Sequence, residues 1–176
     1  MIIILFARMK IYLITLLAVA SLSSLGQAWS EKPKPDAAVV KVLYAPMPHE
    51  ADKRAEFLWK HFANKPEADK FSSYGTDKWN DNFAAFAKAL VTKAEAQKLD
   101  SASLRKVLAL VLKDSKDEIA YLPVGAYQTT LDAKPVWIIT VKWEYPSMGE
   151  GAGLVHIRMY AFDQKTLARV GYKTCK

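Results

Sequence analysis

The spacing of apolar residues changes once along this chain, near Glu118, and that change limits the folds the chain can adopt. Before it, apolar side chains recur every three to four residues, which is typical of amphipathic helices. After it, they alternate with a period of two, which is typical of half-buried strands. Helices followed by strands with short connections predict an α+β fold.

Three segments have the helical spacing, covering approximately residues 51–62, 77–94 and 104–112. Each places its apolar side chains on one face, and Leu108 belongs to the strongest of these stripes. Asp100 is predicted to cap the third helix. A capping-box pattern from Thr92 to Glu95 leaves open a fourth helix that begins there.

Residues 136–145, 154–162 and 168–174 alternate as strands, and residues 119–130 form a weaker one. Pro123 and Gly125 in that weaker strand fit an edge or a bulge. Short connections predict an antiparallel meander. The expected fold is α+β, with three or four N-terminal helices packed on one face of a three- to four-stranded antiparallel meander, the face that carries Trp137 and Trp143.

The first 28 residues have the order of a secretory signal peptide. Arg8 and Lys10 precede an apolar run from Ile11 to Ala20, and small residues surround a cleavage site after Ala28. The run of about ten residues is shorter than a membrane span, with an uncleaved anchor as the alternative. We therefore expect an exported protein, periplasmic or extracellular, that does not span the membrane after cleavage.

Cleavage after Ala28 would leave 148 of the 176 residues and lower the net charge from +7 to +5. Residues 29–48 contain several prolines and predict a flexible lead-in, within which 37–45 fit either a strand or a helix. Residues 49–176 are predicted to form a single α+β domain. The start is either Met1 or Met9, because translation from Met9 would give a more conventional signal peptide.

The excess positive charge comes mainly from lysine. Nucleic-acid readers rely on arginine for bidentate contacts, so no nucleic acid is expected as a partner. An unknown protein or an anionic envelope ligand fits the charge better. The single cysteine, Cys175, excludes an intrachain disulfide and leaves open a free thiol or a bond between chains.

Patterns for catalysis and metal binding are weak. His49-Glu50 lacks the second histidine of the H-E-x-x-H motif, and His61 lies beside an apolar stripe, so no metal site is predicted. No pattern fixes Cys175 and His156 within hydrogen-bond distance, and Asp163 fits a turn better than a catalytic acid. We expect no cofactor and a non-enzymatic binding module. An exported hydrolase and a structural partner of an envelope complex are the alternatives.

Charged residues alternate with apolar ones along the last three strands. If those strands pair in sequence order, their charged side chains share the face opposite Trp137 and Trp143. We predict a surface for an anionic ligand or a partner there, with a solvated face of cross-strand ion pairs as the alternative. The residues of this predicted charged surface are Lys142, Glu144, His156, Arg158, Arg169 and Lys173.

The glycine-rich segment between the predicted strands 136–145 and 154–162 is a second candidate site of contact with a ligand or partner. Gly149, Glu150 and Gly151 resemble a phosphate-binding loop, but the Lys-Ser/Thr pair is absent and the segment precedes a strand rather than a helix. It is therefore predicted to be a mobile hairpin loop that contacts a ligand or partner.

Overall fold

The structure, a computed structural model, describes residues 35–63, 79–115, 120–144 and 156–174. Within these ranges it contains three α-helices and five strands. The helices are α1 (Ala51–Leu58, extended by a π-helical segment, Trp59–Ala63), α2 (Trp79–Ala96) and α3 (Ser101–Lys113). The strands are β1 (Val39–Val42), β2 (Ala120–Leu131), β3 (Lys134–Glu144), β4 (His156–Asp163) and β5 (Arg169–Thr174). The α+β class is confirmed.

The five strands form one sheet in the order β1-β2-β3-β4-β5. Strands β2 to β5 pair antiparallel with their sequence neighbours, which confirms the meander. The β2–β3 turn has positive φ at both Asp132 and Ala133, as a two-residue hairpin turn requires. The register of β2 shifts between Pro123 and Gly125, so the predicted bulge is present, although β2 is an internal strand.

The fifth strand comes from the segment predicted as a flexible lead-in. Val39–Val42 pair in parallel with Gly125–Gln128 of β2. The amide of Met47 also donates to the Thr130 carbonyl, and its side chain is buried. Residues 35–48 therefore pack as part of the folded domain, and the β-branched valines favour a strand at 39–42. The rest of that segment, 29–34, lies outside the described residues.

Helices cover both faces of the sheet, which corrects the prediction of one covered face. Helices α2 and α3 pack on the face that carries Trp137 and Trp143, through side chains such as Leu90 and Leu108. Helix α1 and its π-helical extension pack on the other face. The contacts there join Phe57, Leu58 and Phe62 to Ile138, Ile157, Met159 and Ala161. Both faces of β3 and β4 carry apolar side chains, so both require cover.

The predictions for the start of α3 and for the end of α2 had different outcomes. The Asp100 carboxylate accepts a hydrogen bond from the Ser103 amide at 3.0 Å, which confirms the cap of α3. The capping-box pattern at Thr92 does not start a new helix, because α2 continues through it to Ala96. The apolar stripe of α2 continues too, and Ala94 is fully buried.

Candidate functional site

The predicted charged surface is divided between the two faces of the sheet. Lys142 pairs with Ile157, and Lys173 pairs with Met159, so both lysines lie on the α1 side. His156 pairs with Trp143, which places it on the α2–α3 side. Residues directly opposite in an antiparallel pair share a face, so this register separates the lysines from the histidine.

The two arginines of that surface also lie on the α2–α3 side. Arg158 is 6% exposed, and its guanidinium lies 4.3 Å from the centre of the Trp143 ring. Arg169 pairs with Phe162, at the edge of the same face. The prediction that all six residues share the face opposite the tryptophans is therefore wrong. The side chain of Glu144 and the loop Gly149, Glu150 and Gly151 lie outside the described residues.

His156 packs its ring against Trp143, with 4.9 Å between the ring centres. Burial lowers the pKa of His156 below its ordinary value, and the charge of Lys142 lowers it further. The imidazole is therefore neutral over a wider pH range than a free histidine, so it is poorly suited to attracting anions.

Arg169 belongs to a cluster of polar side chains that also includes Asp114 at the end of α3. The Tyr160 hydroxyl donates to Asp114 Oδ2 at 2.8 Å, and Arg169 Nη1 lies 3.4 Å from the same oxygen. Tyr160 also shares a short hydrogen bond with the Tyr121 hydroxyl. Burial, followed by the neighbouring Tyr121, raises the pKa of Tyr160 strongly, so its phenol stays protonated and acts as a hydrogen-bond donor.

A cavity of about 230 Å³ adjoins this cluster. It opens where the end of α3 meets β4 and β5. We call it the Asp114–Arg169 cavity. Its lining is Leu110, Asp114, Tyr160, Phe162, Leu167 and Arg169.

A larger opening of about 580 Å³ lies between α2 and α3. We call it the helix groove. Its apolar lining is Phe83, Ala84, Ala87, Val91, Leu108, Ala109 and Leu112. Alanine favours the helix and has a small side chain, so the three alanines leave the space that forms the groove. Lys88, Glu95 and Arg105 are exposed along its border.

Neither opening was predicted from the sequence, and the reason is physical. The apolar part of the helix groove includes three alanines at partly or fully exposed helix positions, and it lacks the nucleophilic side chains that mark catalytic motifs. Ala84 and Ala109, which interrupt the polar faces of α2 and α3, are the signal that was available. The Asp114–Arg169 cavity joins residues 55 positions apart, which only the tertiary fold brings together.

The other residues considered for catalysis or metal binding have ordinary structural contacts where they are described. The Asp163 carboxylate accepts hydrogen bonds from the Lys165 and Thr166 amides at 2.8 and 2.7 Å, which confirms its role in a turn. His49 contacts the Asp132 carboxylate, and the ring of His61 lies 4.4 Å from that of Phe57. Cys175 lies outside the described residues.

In the described ranges, no three His, Cys, Asp or Glu side chains are grouped so that they could bind a metal ion. None of the described helices combines the length and apolar character needed to cross a membrane.

Comparisons of the chain with protein-family models, curated proteins and solved structures find no significant match.

Proposed function

We propose that this protein is a small exported binding protein of the bacterial periplasm or envelope, without enzymatic activity, and that the helix groove is its binding site. The proposed ligand is an anionic amphiphile, whose apolar chain lies along the groove and whose anionic head contacts Lys88 and Arg105. The observation that supports this proposal is an apolar groove of about 580 Å³ with cations on its border.

The size of the groove suits such a ligand. Pockets that bind small molecules typically enclose about 300–1,000 Å³ and are mainly apolar. The lining of α2 extends from Phe83 to Glu95, which corresponds to about 18 Å along the helix. Leu112 is 38% exposed at the groove, and covering such apolar surface stabilises a complex by about 25 cal/mol per Å².

The border of the groove supports an anionic head. Arg105 contacts Glu95 at 3.5 Å, with both side chains mostly exposed, and pairs of this kind contribute little to stability. A carboxylate or phosphate can therefore replace Glu95 as the partner of Arg105 at small cost. After cleavage at Ala28 the chain would carry a net charge of +5, which raises the local concentration of anions.

Isothermal titration of the protein with dodecanoate, below its micelle concentration, tests the proposal. Dodecyltrimethylammonium has the same chain and the opposite charge, and we expect dodecanoate to bind more tightly. Ala109→Phe fills the groove and should weaken dodecanoate binding by at least about tenfold, whereas Lys88→Gln should weaken it by about two- to fivefold. Unchanged affinity in Ala109→Phe would contradict the proposal.

Lys106→Gln is the matched control for charge, because Lys106 is exposed on α3 and does not line the groove. The affinity of Lys106→Gln for dodecanoate should equal that of the unmodified protein.

Export is tested separately by the intact mass of the protein recovered from the periplasm. We expect a chain that begins at Trp29, and recovery of the uncleaved chain in the cytoplasm would contradict the exported location.

A further inference from the structure

The Asp114–Arg169 cavity places opposite charges beside an apolar pocket. Asp114 ends α3, Arg169 begins β5, and both side chains reach the cavity. Leu110, Phe162 and Leu167 supply apolar lining. The cavity is separate from the helix groove, so a ligand bound in it would be independent of the amphiphile proposed for the groove.

The contact between the two charges is loose. Arg169 Nη1 and Asp114 Oδ2 are 3.4 Å apart, beyond the usual range of a charge-assisted hydrogen bond, and the side chains are 50% and 45% exposed. Exposed pairs with this geometry add little to stability. A ligand with one positive and one negative group can therefore replace this pair with two shorter contacts.

The surroundings of Asp114 favour a cation. Its carboxylate is fixed by the hydroxyl of Tyr160, which is a permanent donor because its phenol stays protonated. Asp114 also stands at the C-terminal end of α3, where the helix dipole adds negative potential. An ammonium group placed there would meet both the carboxylate and the dipole.

The surroundings of Arg169 favour a carboxylate. Its guanidinium lies 5.3 Å from the centre of the Tyr172 ring, which holds the planar group at the mouth of the cavity. A guanidinium binds a carboxylate through two parallel hydrogen bonds. One ligand carboxylate can therefore take the place that Asp114 now occupies beside Arg169.

The volume limits the size of the ligand. A cavity of about 230 Å³ corresponds to about eight water volumes, which suits a molecule of roughly eight to ten non-hydrogen atoms. We propose that this cavity binds a free α-amino acid with a small apolar side chain. Its ammonium group contacts Asp114, its carboxylate contacts Arg169, and its side chain packs against Leu110 and Leu167.

Calorimetric titration of the full chain with three related compounds tests this assignment. Leucine carries both charges, 4-methylpentanoate lacks the ammonium group, and 3-methylbutylamine lacks the carboxylate. We expect leucine to bind at least about tenfold more tightly than either analogue, since each lacks a charge-assisted contact. Equal binding of leucine and 4-methylpentanoate would overturn the amino-acid assignment, as would the absence of leucine binding up to about 10 mM.

Substitutions test the two contacts. Arg169→Gln and Asp114→Asn should each weaken leucine binding by about tenfold or more. Lys53→Gln is the matched control, because Lys53 of α1 forms an exposed ion pair with Glu50 and does not line the cavity. Unchanged leucine affinity in Arg169→Gln would overturn the proposal. If Asp114→Asn does not fold, as judged by circular dichroism, the comparison of leucine with 4-methylpentanoate tests the contact at Asp114 without a substitution.

Discussion

At the scale of single residues, Ser103 connects α3 to the middle of the sheet. The indole nitrogen of the fully buried Trp137 donates to Ser103 Oγ at 2.9 Å. The same hydroxyl donates to the Asp100 carbonyl at 3.0 Å, within the first turn of α3. One side chain therefore completes the start of a helix and satisfies a buried donor on the strand below it.

Replacing Ser103 with alanine should lower the free energy of unfolding by about 1–3 kcal/mol, because the Trp137 indole would lose its acceptor. In Trp137→Phe the donor is absent, so adding Ser103→Ala should cost markedly less than it does in the unmodified protein. Urea denaturation of the two single variants and the double variant measures this difference. Strictly additive effects would show that the hydrogen bond contributes nothing.

His156 should make stability depend on pH, because its pKa is lower in the folded chain than in the unfolded one. As the pH falls through the unfolded value of about 6.5, the unfolded chain binds a proton that the folded chain resists. Stability should therefore fall below pH 6.5 and level off once the folded histidine is also protonated. His156→Gln should lose less stability than the unmodified protein between pH 7.5 and 5.5, measured by urea denaturation; equal losses would contradict this assignment.

Residues whose roles depend on near neighbours were predictable from the sequence. Asp100 caps α3 and Asp163 closes a turn, and each does so through amides two or three positions away. His156 and Arg158 were predicted on the wrong face, because the face of β4 depends on its register with β3. Since side chains alternate with a period of two, a register error of one residue moves a whole strand to the other face.

At the scale of elements, α1 is anchored to the second face of the sheet by apolar and polar contacts. Leu58 is fully buried, and Phe62 packs on Tyr127 with 4.5 Å between ring centres. Arg54 Nη1 donates to the Val170 carbonyl of β5 at 2.7 Å. Gly171 keeps this approach open, because a Cβ there would lie 3.2 Å from the Ala161 Cβ and 3.5 Å from Leu58 Cδ1.

Leu58→Ala should therefore lower the free energy of unfolding by about 2–5 kcal/mol, because it leaves a cavity between α1 and the sheet. Leu112→Ala is the matched control, since this leucine is 38% exposed and its loss should cost less than about 1 kcal/mol. Thermal and urea denaturation of both variants provides the comparison. Similar costs for the two substitutions would contradict the docking of α1 on this face.

The helices and the later strands were predictable because their periodicity is long and regular. The position of α1 was missed, although Val136 and Ile138 alternate with Trp137 and Ile139 to give β3 two apolar faces. An apolar run of this kind is typical of a strand covered on both sides. The sequence around β1 fits either a strand or a helix, because four residues are too few to distinguish a strand from a helical turn.

At the scale of the whole molecule, the described part of the chain has helices on both sides of a single sheet. Its central strand, β3, is buried on both faces and paired on both sides. Strand β1 is short, lies at an edge and exposes Lys41 and Val42. Local stability should therefore decrease from the middle of the sheet towards this edge.

Amide hydrogen exchange tests that gradient. The amides of β3 between Trp137 and Val141 should exchange at least about a hundredfold more slowly than those of Val39–Val42, because opening the edge disrupts far fewer contacts. Mass spectrometry of peptides from the two strands measures the rates. Equal protection in β1 and β3 would show that the edge opens only when the whole domain unfolds.

The two strands that pair with β2 are separated from it by very different numbers of residues. Strand β3 follows after a two-residue turn, whereas Val39 of β1 pairs with Gly125, 86 positions later. By the logarithmic dependence of loop closure on length, the longer closure costs about 3 kcal/mol more chain entropy. Strand β1 is the first of the strands to be synthesised, and the larger closure cost predicts that it is the last to pair. Until it arrives, the outer edge of β2 is open to a strand from another molecule, so correct folding requires that the chain's own N-terminal segment reach that edge first.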